Sequence, residues 1–209
     1  MKYIREGRFG KPKQYKTGAI VNTYPKPMLV LETEAAGMDI ANQPVHWATV
    51  SKLVELSASK DLPPLCAISF SPRNVKDLSE LYVPTPDAGP FSDFVKAINT
   101  LRTTCPWKTV VVDTITGLSD AIYSHQSERN AAALADPRKW AGNIGMKVGQ
   151  VIDHLQTLPC HTVVIMHSET NKDDLTGATD EQPMVYSRLR ESIGAKFGQF
   201  FYAFIEGGV

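Results

Sequence analysis

Gly10-Lys11-Pro12-Lys13-Gln14-Tyr15-Lys16-Thr17 follows the spacing G-x-x-x-x-G-K-[ST] of a phosphate-cradling loop, except that Tyr15 stands where the second glycine belongs. In such a loop successive backbone N–H groups and the positive end of the following helix receive phosphates, the lysine reaches the terminal phosphates, and the hydroxyl binds Mg²⁺. Gly10, Lys11, Pro12, Lys13, Gln14, Tyr15, Lys16, Thr17 and the adjoining Gly18 are therefore the candidate nucleotide-binding residues, with Thr17 also a metal ligand. The competing reading is a lysine-rich surface turn. A non-glycine residue forced to positive φ costs on the order of 1 kcal/mol or more, so Tyr15 bears directly on affinity and catalytic competence.

Upstream, residues 1–9 ought to supply the strand that feeds the loop, yet Lys2, Arg5, Glu6 and Arg8 interrupt the apolar pattern. A central parallel strand usually reads as a nearly continuous apolar run, so this strand is expected to be short, displaced or at an edge. Downstream, Gly18 to Tyr24 reads as a two-turn helix stopped by Pro25 and Pro27. Met28-Leu29-Val30-Leu31 is a buried strand opening into Glu32-Thr33-Glu34, which puts these carboxylates at the carboxyl edge, where open α/β sheets hold ligands.

Further along, partly helical spacing over 48–60, a strand at Leu65 to Phe70 and a proline-rich surface connection over 71–90 with one helical turn near 78–81 are expected. Ser92 can cap a helix carrying Phe94, Val95, Ile98 and Leu101. Trp107 to Thr114 is the clearest strand, an apolar run ending in Asp113, and a helix follows from about Ile115 to Glu128. After a polar, alanine-rich interval through Pro137, the residues Ile144, Val148, Val151, Ile152 and Leu155 mark an amphipathic helix. Thr162 to His167 is the next buried strand, residues 168–183 read as a long functional or mobile loop, and Phe197 to Ile205 is a last strand or hairpin arm. Strands alternating with helices imply an α/β fold, a mainly parallel sheet with helices on both faces, in a single domain over 1–209.

Composition narrows the partners. Lysine plus arginine and aspartate plus glutamate are balanced at 22 each, so no global field draws nucleic acid or membrane, and any DNA contact must come from a local patch. The cysteines Cys66, Cys105 and Cys160 have no zinc or disulfide spacing and fit a reducing cytosol. With no apolar run near the roughly 18 residues of a membrane span and no signal-peptide pattern, a soluble, intracellular protein without a membrane partner is expected.

Lys16-Thr17, Glu34, Asp113 and His167 thus fall at successive strand ends or in the loop before a helix. A nucleoside triphosphatase needs a phosphate cradle, an acid that holds Mg²⁺ through water, a carboxylate that orients or deprotonates the attacking water, and a polar sensor of the terminal phosphate. Taken singly, Asp113 also reads as a helix cap, Glu34 as a solvated loop carboxylate and His167 as a structural histidine. Their order along the chain joins them.

With these pieces in view, the chain resembles the RecA-like P-loop ATPases carried by phages, the AAA-type domain of single-strand annealing and recombination proteins. The likeness covers roughly residues 8–205 and rests on the Gly10–Thr17 loop, Tyr24 to Leu31 followed by Thr33-Glu34, the strand to Asp113, and Val163 to His167. It implies a RecA-like core that binds ATP and Mg²⁺, with Lys16, Glu34 and His167 catalytic, Glu34 in the position of the catalytic glutamate, and Thr17 and Asp113 at the metal. It also implies DNA-contacting segments, here about 124–143 with Arg129, Arg138, Lys139 and Trp140, and about 168–196 with Lys172, Arg188, Arg190 and Lys196. Single-stranded DNA, a homo-oligomeric ring or filament, and a single-strand binding protein are the partners implied, in the host cytoplasm if the chain is phage-encoded. The chain stops near the point where such a core would continue. A degenerate P-loop domain with a structural role and a helicase- or loader-type ATPase are the alternatives.

Overall fold

The computed structural model describes residues 3–12, 14–34, 43–70, 90–129, 137–173, 176–186 and 188–204, with the side chains of 127–129, 137–139 and 188 outside that description. The expected connection over 71–89 and the alanine-rich interval over 130–136 lie outside the described residues. Among the described residues an eight-stranded sheet comprises β1 (Arg5–Gly10), β2 (Met28–Glu32), β3 (His46–Ala48), β4 (Leu65–Ser69), β5 (Thr109–Asp113), β6 (His161–Lys172), β7 (Thr179–Pro183) and β8 (Gln199–Tyr202). The helices are α1 (Lys16–Thr23), α2 (Val50–Ala58), α3 (Pro90–Thr103), α4 (Ile115–Arg129), α5 (Pro137–Gln156) and α6 (Arg188–Ser192), with a 3₁₀ turn at Ile193–Lys196.

The sheet runs β3-β4-β2-β5-β6-β1-β8, every neighbouring pair on this path parallel, and β7 pairs antiparallel with the outer part of β6. This is the expected α/β architecture of a P-loop NTPase core. β2 and β5 read MLVLE and TVVVD and are buried along their whole length, because both faces of the sheet are covered. Alternation divides their side chains between two cores. Leu29, Leu31, Val110 and Val112 pack with Leu53, Phe94, Leu101, Leu118 and Ile152 from α2 to α5, whereas Met28, Val30 and Val111 pack with Ile20 and Val21 of α1. Among the described residues, helix α1 is therefore the helix on its face, and it carries the phosphate loop at its N-terminus.

Two expectations need correction. β1 is not an edge strand: it lies between β6 and β8. Its charges are accommodated because each has a partner, the condition under which buried charge is tolerated. Buried Glu6 accepts hydrogen bonds from Tyr24 Oη and from Arg8 Nε at 2.8 Å, and the Arg5 guanidinium donates to the backbone carbonyls of Leu158 and Cys160. Residues 168–183 are likewise no open loop. Their described residues form a β6–β7 hairpin, paired from Ser168↔Pro183 to Lys172↔Thr179, with Gly177 at φ 70° between the strands. Small differences remain at the ends: α3 begins at Pro90 and α5 at Pro137, where proline's missing N–H costs nothing in a first turn.

Candidate functional site

The chain leaves β1 at Gly10 and enters α1 at Lys16, so the loop stands at the carboxyl edge of a central strand. Tyr15 is the residue before the helix and holds φ 52°, ψ 26°, the left-handed conformation that glycine would supply without strain. Its carbonyl accepts the first helical bond, from Ala19 N–H at 3.0 Å. The tyrosine thus preserves the backbone path that the motif needs. Its ring lies against Gly18, where a Cβ would come within 2.2 Å of the ring carbon Cε2. Its hydroxyl accepts a hydrogen bond from Asn22 Nδ2 at 2.8 Å.

The Lys16 ammonium is buried and donates to the carbonyls of Gly10 at 3.0 Å and Lys11 at 2.5 Å, while Gln14 Oε1 accepts from Lys11 N–H at 2.8 Å. Lys13 lies outside the described residues. One helical residue on, Thr17 Oγ1 donates to Asp113 Oδ2 at 2.6 Å, both side chains buried. A hydroxyl and a carboxylate side by side at a helix N-terminus are hard oxygen donors of the kind Mg²⁺ takes, few in number because that ion keeps most of its water. No cluster of three histidine, cysteine or acidic side chains suited to a metal occurs among the described residues.

Glu34 lies just beyond β2, next to the end of β5. Its Oε1 accepts from Thr114 Oγ1 at 2.6 Å and its Oε2 is 2.7 Å from His167 Nε2 on β6. Burial pushes the Glu34 carboxyl upward, but hydrogen bonds from His167 and Thr114, the His167 charge and the Gly117 N–H outweigh it and hold the group below its ordinary pKa. Gly117 permits this approach: a Cβ there would meet Glu34 Cγ at 2.5 Å and Thr33 Oγ1 at 2.8 Å. Thr33 joins the two strand ends, its Oγ1 donating to Thr114 O at 2.5 Å and accepting from Thr114 N–H at 2.9 Å. Behind it, buried Glu32 stands in register with Asp113.

Lys16, Thr17, Asp113, Glu34 and His167 are thus gathered at one sheet edge. Thr33, which the resemblance brings in beside Glu34, belongs with them, as do Thr114 and Gly117. Only the position of Thr114 directly after Asp113 could have pointed to it.

The residues assigned to DNA are arranged differently. Trp140 is half-buried, edge-on to Tyr123 at 5.1 Å and to Tyr186 at 5.7 Å between ring centres. Arg190 pairs with Glu169, and Lys196 with Asp153 at 2.7 Å. Lys172 is exposed at the outer end of β6. The side chains of Arg129, Arg138, Lys139 and Arg188 lie outside the described residues. A cavity of about 220 Å³ opens between α4 and the β7–α6 connection, lined by Ser119, Asp120, Glu169, Met184, Tyr186 and Arg190. Burial and the nearby Glu34 charge raise the pKa of Asp120.

A family model described as an AAA domain matches residues 10–202, from the phosphate loop to the end of β8. The chain belongs to the AAA domain family. It is an AAA, P-loop ATPase-type domain, a class that binds nucleotide and generally takes ATP with Mg²⁺. The match begins at Gly10 and so includes the loop with Tyr15 in it. No curated protein matches the chain. No helix among the described residues of this AAA domain is long and apolar enough to cross a membrane.

Proposed function

We propose that this AAA domain binds ATP with Mg²⁺ at the Gly10–Gly18 loop, hydrolyses it, and acts on single-stranded DNA in recombination or strand annealing of the phage type. The observation that carries the reading is the convergence of Lys16, the Thr17–Asp113 pair and the Glu34–His167 pair on one sheet edge. Phosphoryl transfer asks for positioning and charge stabilisation more than for covalent chemistry, and these groups supply both.

In the proposed reaction Lys16 exchanges the carbonyls of Gly10 and Lys11 for the β- and γ-phosphate oxygens. Thr17 and Asp113 would hold Mg²⁺, which would neutralise phosphate charge when bound. Glu34, ionised because of its depressed pKa, orients the attacking water and accepts its proton as oxygen bonds to the γ-phosphorus and ADP leaves. A base of this kind contributes about 10²–10⁴-fold. His167 shares its Nε2 contact with Glu34 and stands on the strand that runs on to Lys172, so a change at the γ-phosphate reaches the hairpin. DNA contact is assigned to the hairpin and to the segments around Arg129, Arg138, Lys139, Trp140, Lys172, Arg188, Arg190 and Lys196, in a ring or filament with sites between subunits. A single-strand binding protein is a further partner.

A second reading, a degenerate P-loop domain with a structural or protein-interaction role and little or no nucleotide turnover, is favoured by one feature: Tyr15 in place of glycine at φ 52°. Calorimetric titration with Mg·ATP, paired with a phosphate-release assay, separates the two. Lys16→Ala is expected to weaken binding by about ten- to a hundredfold, the value of a lost charge-assisted hydrogen bond. Binding without phosphate release, or no binding by the wild type, removes the ATPase reading and assigns the second.

A further inference from the structure

We infer that the ring of Tyr15 is the platform on which the nucleoside of the bound triphosphate lies, which makes Tyr15 a specificity-determining residue; this rests on the phosphate-site reading above. The first turn of α1 and Lys16 determine where the phosphates go, and the nucleoside must leave that cradle along a flank of the helix. Residues 15, 18 and 22, spaced three and four apart, share one such flank. The Tyr15 side chain runs along it, seated on Gly18 and tethered at its hydroxyl by Asn22. Asn22 is held in turn by Gln43 Nε2, which donates to its Oδ1 at 3.4 Å.

A surface tyrosine with no such role would be free to change rotamer. Here three features hold the ring: the left-handed backbone of Tyr15, the missing side chain at Gly18, and the Asn22–Gln43 relay. One side of the ring is covered by the helix, and the residue as a whole remains 50% exposed. An aromatic ring fixed in advance, open to solvent and next to a phosphate cradle matches a base or ribose. Stacking needs no ordering of the ring at the moment of binding, and every base offers a π-face to it. The ligand class is therefore a nucleoside triphosphate held through its base, as distinct from a bare polyphosphate.

The test compares Mg·ATP with Mg·tripolyphosphate by titration on the wild type and on Tyr15→Phe, Tyr15→Asn and Tyr15→Gly. Asparagine and glycine both tolerate the left-handed backbone, so two ringless variants keep the loop path. The ratio of the two affinities cancels general damage to the cradle. Tyr15→Phe is expected to keep the wild-type ratio within about threefold, whereas Tyr15→Asn and Tyr15→Gly lose about tenfold in ATP affinity with tripolyphosphate unchanged, the scale of one lost stack. An unchanged ratio in both ringless variants overturns the platform. A ratio that rises in them also overturns it, and makes the ring an obstacle to the nucleoside. Failure of the site reading looks different: neither ligand binds the wild type, or Lys16→Ala leaves tripolyphosphate binding untouched.

Discussion

Lys16, Tyr15 and Gln14 hold the phosphate loop through contacts that reach at most seven residues along the chain, whereas Glu34 is held by Thr114 and His167, 80 and 133 residues away. Apart from the Thr17–Asp113 bond and the Lys11–Glu181 ion pair, the loop is a local device whose backbone path follows from one left-handed residue and one helix start. The Glu34 cluster exists only when β2, β5 and β6 are assembled. Damage to the loop should therefore appear as lost affinity. Damage to the cluster should appear as lost turnover or as a shifted pH response, because its hydrogen bonds set the charge of a group that the ground state does not need for binding.

The largest effect expected from this division is at Glu34 itself. Glu34→Gln keeps the size and one acceptor of the side chain but cannot take a proton. Phosphate release should fall about 10²–10⁴-fold, while the Kd for Mg·ATP stays within about threefold of wild type. Equal losses in both quantities would mean that the two halves do not divide the work, and Glu34 would then be a binding residue.

A smaller effect, and one that reads the cluster's electrostatics, is expected at His167. Burial by itself raises the Glu34 pKa, and the bonds and charge of His167 together with the Thr114 and Gly117 contacts reverse that shift. Because the folded-state pKa is depressed, Glu34 stays ionised through neutral and mildly acidic pH. Both the activity and the stability linked to that charge are present above the unfolded-state pKa and are lost only as pH falls through the folded value. His167→Ala removes the bond and the charge, so burial regains weight and the acid limb of the kcat profile should move to higher pH. Thr114→Ala should move it the same way. A limb that stays where it was would assign the depression to other groups.

The same difference between local and assembled structure governs what the chain reveals before folding. β2 and β5 were legible because strands covered on both faces read as unbroken apolar runs ending in an acid, and Lys16, Thr17 and Asp113 followed from loop spacing and strand ends. β1 reads as short, displaced or at an edge, because its charges answer to Tyr24, Arg8 and distant backbone carbonyls. Those partners are visible only in three dimensions. The hairpin after His167 reads as a loop in the sequence, since its outer residues Thr170, Asn171 and Lys172 are exposed and polar and leave no apolar alternation to detect. The bonds between Thr33 and Thr114 are illegible for a related reason: a hydroxyl that cross-links two strand ends has no periodicity. The ion pairs of Arg190 with Glu169 and of Lys196 with Asp153 are equally illegible in the sequence, because neither acid lies in the basic residue's own neighbourhood in the chain.

The smallest effect on stability, and the sharpest check that the loop half is self-contained, is expected from Gly18→Ala. Alanine in place of a helical glycine gains about 1 kcal/mol in propensity. The new Cβ would come within 2.2 Å of the Tyr15 ring, and because the obstacle is the far end of a side chain, the ring can swing aside. It gives up its seat on α1 and the Asn22 bond, a loss of about 1 kcal/mol for an exposed hydrogen bond and a modest apolar contact. The two contributions nearly cancel, so the urea midpoint should change by no more than the equivalent of about 0.5 kcal/mol. The ATP-to-tripolyphosphate affinity ratio should nevertheless fall as it does in Tyr15→Asn, and the acid limb set by Glu34 should not move. A shifted limb would show that the loop and the cluster are one mechanical unit, and the division between affinity and turnover would have to be abandoned.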